Sequence, residues 1–133
     1  MSNTHPMIKR EAKAQIVFKH WLQSGAWTHG PAVFELKYTD GESIAFSSVK
    51  DHQIRSLIAA DFGLYYKIPD DSIGQKPFDC FYLIGVPGYV VLFFGRNFYI
   101  IPAAKFQELS ETSARRSMTE EMAQQSALIS EHY

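Results

Sequence analysis

The alternation of apolar and polar positions is sharpest in "AVFELKYTDG", residues 32–41. Val33, Glu35 and Lys37 fall on one phase of a period-two pattern, and Phe34, Leu36 and Tyr38 on the other. That spacing predicts a strand. Upstream, Ala14, Val17, Phe18, Trp21 and Leu22 recur at helical spacing, so residues 8–23 are expected to form a helix that "SGAWTHGP" stops. "AVFELKYT" and "ESIAFSSV" flank Asp40-Gly41, a two-residue hairpin signal. Ser48 and Asp51 have the spacing of a capping box, and they open a helix expected over about 49–60, with Val49, Gln53, Ile54, Leu57 and Ile58 on one side. Four strand-like runs follow, "LYYKI", "FDCFYLIG", "YVVLFFG" and "NFYIIPA", with turns at "VPG" and "GRN". Residues 103–130 read as helix, and 107–133 as a polar C-terminal helical segment. The expected order is α-β-β-α-β-β-β-β-α, a mixed α+β domain spanning residues 1–133 with one sheet covered by helices.

Composition supports that reading. At 46% hydrophobic and 14% aromatic, a chain of 133 residues can build one real core. Cys80 is the single cysteine, so no internal disulfide forms. The first residues lack the apolar segment of a signal peptide, and the longest apolar run, "YVVLFF", is too short to span a bilayer. A soluble cytoplasmic protein with no membrane association is expected. Net charge is −1. Residues 1–60 carry seven Lys or Arg against five Asp or Glu, and residues 107–133 two against five, which biases the first half toward anions.

The chemistry worth weighing is the polar pair inside the apolar strand. Residues i and i+2 of a strand share a face, so Glu35 and Lys37 stand roughly 7 Å apart along it. A carboxylate there can hold a hard cation, and an amine beside it can orient water or stabilise charge on phosphate. The pair is equally the pattern of a solvent-facing strand. With eight Glu and eight Lys, a shuffled chain would contain about half a Glu-x-Lys match. A second match, Glu11-Ala12-Lys13, lies in the expected helix, where i and i+2 diverge. Three further residues add to the picture. Gln53 is an amide on the apolar side of its helix, and Glu11 extends the stripe of Ala14 and Phe18. Asp79 is an acid inside an aromatic strand, where acids are depleted.

Glu35-Leu36-Lys37 followed by Thr39, "IAF", His52-Gln53-Ile54, "YVVLFF" and "NFYIIPAAKF", in this order, resemble the PD-(D/E)xK nuclease superfamily, most closely its RecU-like Holliday junction resolvase branch. The resemblance covers about residues 8–110. It implies a restriction-endonuclease-like core with one mixed sheet flanked by helices. It further implies hydrolysis of DNA phosphodiesters with magnesium, or manganese as a substitute, and a homodimer acting on branched DNA. The family's metal-binding Asp normally precedes the Glu-x-Lys strand, yet residues 24–34 hold no Asp or Glu. Pro69-Asp70 falls in an expected loop and is set aside, and Asp79 of "KPFD" is expected to supply the missing ligand from a later strand. The implied roles are then Asp79 and Glu35 on the metal with Glu11 assisting, Lys37 on the attacking water, and Gln53 orienting Lys37 or a ligand. Lys50, Arg55 and Lys76 are the candidate contacts to the DNA backbone. Two other readings stand beside this one: a catalytically inactive DNA-binding protein on the same fold, and a small protein-interaction domain that uses the C-terminal segment with Met118 and Met122.

Overall fold

The computed structural model describes residues 6–133, and their side chains from residue 10 onward. Its centre is the run "YVVLFF", as its continuous apolar character demands. Strand β5 (Gly88–Phe94) is buried on both faces, and so is β6 (Asn97–Pro102) through its middle. They form a hairpin, Tyr89 opposite Pro102 and Phe94 opposite Asn97. Strand β1 (Val33–Thr39) flanks β5, and β8 (Ile129–His132) flanks β6, giving a four-stranded mixed sheet in the order β1-β5-β6-β8.

Strand phase sorts the side chains into two cores. Val90, Leu92, Phe94, Tyr99 and Ile101 face one way, toward Ile54 and Leu57 of α2 (Asp51–Phe62) and Phe106 of α3 (Ala103–Thr112). Tyr89, Val91, Phe93, Phe98 and Ile100 face the other, toward Ala14 and Phe18 of α1 (Pro6–Gln23). Phe18 anchors that second layer, with ring centroids 5.0 Å from Phe34 and 5.7 Å from Phe98. Helices therefore cover both sheet faces, the arrangement expected of a mixed α/β domain. Glycine sets the distance between α2 and the sheet: a Cβ at Gly88 would stand 2.3 Å from the Leu57 carbonyl oxygen.

Three local expectations differ from the structure. The Asp40-Gly41 turn exists, with the Thr39 hydroxyl accepting from the Gly41 N–H at 2.9 Å, but it does not close a hairpin. Strand β1 instead pairs in parallel with β5 over seven residues, Val33 with Gly88 through Thr39 with Phe94. A seven-residue ladder against a fully buried strand outweighs what the short β2 (Ser43–Ala45) can offer, and β2 pairs with β7 (Ser117–Thr119).

The second difference is the C-terminal segment, which is not one helix. α3 stops at Thr112; β7, α4 (Glu120–Ser126) and β8 follow. Ser113 and Thr119 explain the break. Their hydroxyls accept from the N–H groups of Arg115 and Met122, ending one helix and capping the next.

Third, α2 opens at Asp51, with Lys50 rather than Ser48 at the N-cap. A 3-10 turn over Phe46–Ser48 precedes it, and the Ser48 hydroxyl donates to the Ala45 carbonyl. The expected strands "LYYKI" and "FDCFYLIG" form β3 (Leu64–Lys67) and β4 (Cys80–Leu83), an antiparallel ribbon separate from the main sheet. Among the described residues, no helix is long and apolar enough to cross a membrane.

Candidate active site

β1 is an edge strand, so one of its sides is open while both faces are packed. Phe34, Leu36 and Tyr38 pack with the α1 layer and Val33 with the α2 layer. Glu35 and Lys37 share the phase of Val33 and sit where that layer ends. Each is about three-quarters covered, and Lys37 Nζ lies 3.3 Å from a Glu35 carboxylate oxygen. Packing thus holds the pair in place while the open strand edge leaves it reachable.

Glu11 of α1 comes to the same place. A cleft of 190 Å³ between α1 and the β1 edge is lined by Glu11, Gln15, Glu35, Lys37 and Tyr38 over a floor of Phe93. A second, of 290 Å³, lies beside it, bounded by Glu11, Lys37, Thr39, Ser43 and Ser48. Glu11 and Lys37 border both, so they stand at the junction of a single depression. Gln15 is a member that sequence reasoning missed. Its signal was available, because it lies four residues after Glu11 and therefore on the same helical face.

The remaining sequence candidates lie elsewhere. Gln53 is the third residue of α2, and its amide oxygen accepts from the Lys50 N–H at 3.0 Å. That is half of a capping box, and it uses the amide for helix initiation. Asp79 lies at the base of β4, exposed, 3.4 Å from Lys76 Nζ, with its carbonyl accepting from the Ile68 N–H. It borders neither of the two clefts at Lys37. Lys76 is also bound to Asp70 at 2.6 Å, so the ribbon loop neutralises its own cation. Lys50 is exposed at the start of α2. Arg55 lines a different cleft, of 350 Å³, in company with Asp51 and Glu111.

Among the described residues, no three His, Cys, Asp or Glu side chains gather in a metal-binding arrangement. The set Asp79, Glu35 and Glu11 is therefore not assembled as a triad. Glu11 and Glu35 are assembled on one cleft, and this smaller set has the chemistry magnesium accepts. That ion binds through one or two carboxylates and completes its shell with water and substrate phosphate. The cleft thus offers two carboxylates, one amine and one amide over an apolar floor. It can hold a hydrated divalent cation, bind a phosphate oxygen and order a water.

Comparison of the chain with known protein families, with curated proteins and with solved structures finds no match.

Proposed function

We propose that this protein is a magnesium-dependent DNA endonuclease that hydrolyses phosphodiester bonds, with branched DNA such as a Holliday junction as its substrate. The observation that carries the reading is the convergence of Glu11, Glu35 and Lys37 on one depression at an open strand edge. Glu35 and Glu11 are the residues that would hold the ion, which supplies charge neutralisation on the phosphate when bound. Lys37 orients the attacking water and stabilises the negative charge that develops on the phosphoryl oxygens. Its ion pair with Glu35 keeps the amine aimed into the cleft. Gln15 offers an amide to the same water or to a phosphate oxygen.

The test is nicking of supercoiled plasmid and of a synthetic four-way junction with magnesium or manganese. Cutting by the parent, lost in Glu35→Gln and Lys37→Ala, is the expected result. A parent that cuts neither substrate with either metal contradicts the proposal.

One observation favours a second reading, a DNA-binding protein without catalysis. The carboxylate expected to complete the metal site, Asp79, is paired with Lys76 on the outer ribbon. DNA binding with no cutting in the same assay selects that reading.

Self-association belongs to the same proposal, since symmetric cutting of a junction needs two sites. It is supported by the β3–β4 ribbon and its surroundings. Among the described residues, nine large apolar side chains are exposed, and seven of them fall between Phe62 and Ile84. A concentration of that kind marks a contact surface.

A further inference from the structure

From the arrangement around Arg10, Lys13 and Arg96, we propose a phosphate-binding subsite for the nucleic-acid backbone beside the Glu35–Lys37 cleft. It rests on the endonuclease reading and deepens it. Arg10 and Lys13 come from α1, and Arg96 from the tight turn between β5 and β6. The three border one cavity of 460 Å³ together with Tyr38, Asp40 and Tyr133. Tyr38 also lines both clefts that contain Lys37, so cavity and clefts adjoin along β1.

The fold brings these cations together by specific contacts. The Gly95 N–H donates to the Thr39 carbonyl at 3.2 Å, tying the β5–β6 turn to the end of β1. Gly95 takes a φ of 60°, which lets the turn close directly before Arg96. Tyr133 then fixes the guanidinium. Its ring centroid lies 5.9 Å from the Arg96 guanidinium carbon, and its main-chain oxygen accepts from Arg96 Nε. With Nε used, the planar fork still presents its terminal nitrogens, the geometry that binds phosphate oxygens.

Charge points the same way. Asp40 is the one carboxylate side chain at this cavity, and it pairs with Arg10 while accepting from the Tyr38 hydroxyl at 2.6 Å. Lys13 makes no ion pair or side-chain hydrogen bond among the described residues. Among the described residues, Lys13 is thus a cation with no carboxylate partner, and Arg96, bound through Nε to the Tyr133 main chain, has no side-chain carboxylate on its terminal nitrogens; both are held next to the proposed reaction site. The ribbon offers no such surplus, because residues 61–85 set four acids against Lys67 and Lys76, and Lys76 is shared between Asp70 and Asp79. A DNA strand lying in the Glu35–Lys37 cleft would place a neighbouring phosphate in this cavity.

The test is equilibrium binding of a fluorescent four-way junction to the full chain, in EDTA so that no cutting occurs, across a potassium chloride series. Lys13→Gln and Arg96→Gln should each weaken binding of every DNA form and lower the slope of log affinity against log salt by about one. Lys76→Gln should leave both quantities unchanged. Lys13 lies on an exposed helix face, so its variant keeps the fold and carries the test if Arg96→Gln loosens Tyr133. Parental affinity and slope in Lys13→Gln would overturn the subsite, as would a parent that binds no DNA at low salt. Because the ion is absent from this assay, failure of the endonuclease reading shows separately, as a lack of cutting.

Discussion

Glu35 and Lys37 carry the account at the level of single residues, and their energetics make them testable. The pair is a quarter exposed, so its ion pair contributes only about 0–1 kcal/mol to stability. Glu35→Gln or Lys37→Ala should therefore leave the thermal midpoint nearly unchanged while cutting falls by about a hundredfold or more. A large drop in midpoint would instead assign the pair to the scaffold. Gln53 makes the opposite prediction. Its amide caps α2, so Gln53→Ala should cost about 1 kcal/mol in denaturant unfolding and leave the cutting rate per folded molecule near the parental value.

Tyr99 gives a pH signature of the folded state. Burial, reinforced by its hydrogen bond to Glu120 and the charge there, pushes the hydroxyl up to about 12 from 10.0. The folded chain thus keeps a proton that the unfolded chain releases near 10. Stability from this group is complete below pH 10 and is lost progressively as pH rises to about 12, by roughly 2–3 kcal/mol. Tyr99→Phe should flatten that decline in urea midpoints measured across the range. An equally steep decline in the variant would place the titrating group elsewhere. At this scale the sequence was informative. The alternation through Val33–Tyr38 assigned each side chain its layer, and helical spacing pointed Glu11 toward the sheet. Arg96 could not be found that way, because its position depends on Tyr133 and on a turn that closes only in three dimensions.

Among the elements, pairing partners were the hidden quantity. Asp40-Gly41 is a sound local hairpin signal, yet β1 joins β5, whose glycine lies more than fifty residues beyond. Local turn chemistry says where a chain reverses, and it does not say which strand is buried enough to need a second neighbour. β5 needs two, because both of its faces are covered. The C-terminal segment was misread for a related reason. Its Ser and Thr hydroxyls cap and break helices, while Met118 and Ile129 become strand residues only because β2 and β6 are there to pair with them. The close approach of α2 to β5 supplies the prediction for this level. Gly88→Ala places a Cβ against the backbone of Leu57 and should cost about 1–3 kcal/mol, read as a lower urea midpoint. A neutral result would mean that the helix can shift away from the sheet.

For the molecule as a whole, the structure separates two regions of different character. One is the β1 edge with its carboxylates, Lys37 and the adjoining cations. The other is the β3–β4 ribbon, apolar and exposed at Tyr65 and Tyr82, whose segment 61–85 carries four acids against two bases. An acidic apolar surface suits protein contact better than a polyanion. Tyr65→Ser with Tyr82→Ser should shift a sedimentation profile from dimer toward monomer, whereas a parent that sediments as a monomer throughout removes the dimer from the proposal. The placement of Asp79 on this ribbon also has a consequence. Asp79→Asn should cut at close to the parental rate, and a loss comparable to that of Glu35→Gln would mean that the ribbon folds onto the cleft during the reaction. The mixed α/β class was legible from the order of apolar runs, but the expected single sheet was not what formed: the strands divide into one four-stranded sheet and two two-stranded ones, because strand partners are set by packing. The company around Glu35 was legible only in part, because cleft membership is a property of packing. The central claim is tested most directly by cleavage of a synthetic four-way junction by the parent and by Glu35→Gln, with and without magnesium. Magnesium-dependent cutting by the parent that is absent from an equally stable Glu35→Gln is the predicted result. Equal cutting by both proteins, or none by the parent, would contradict it.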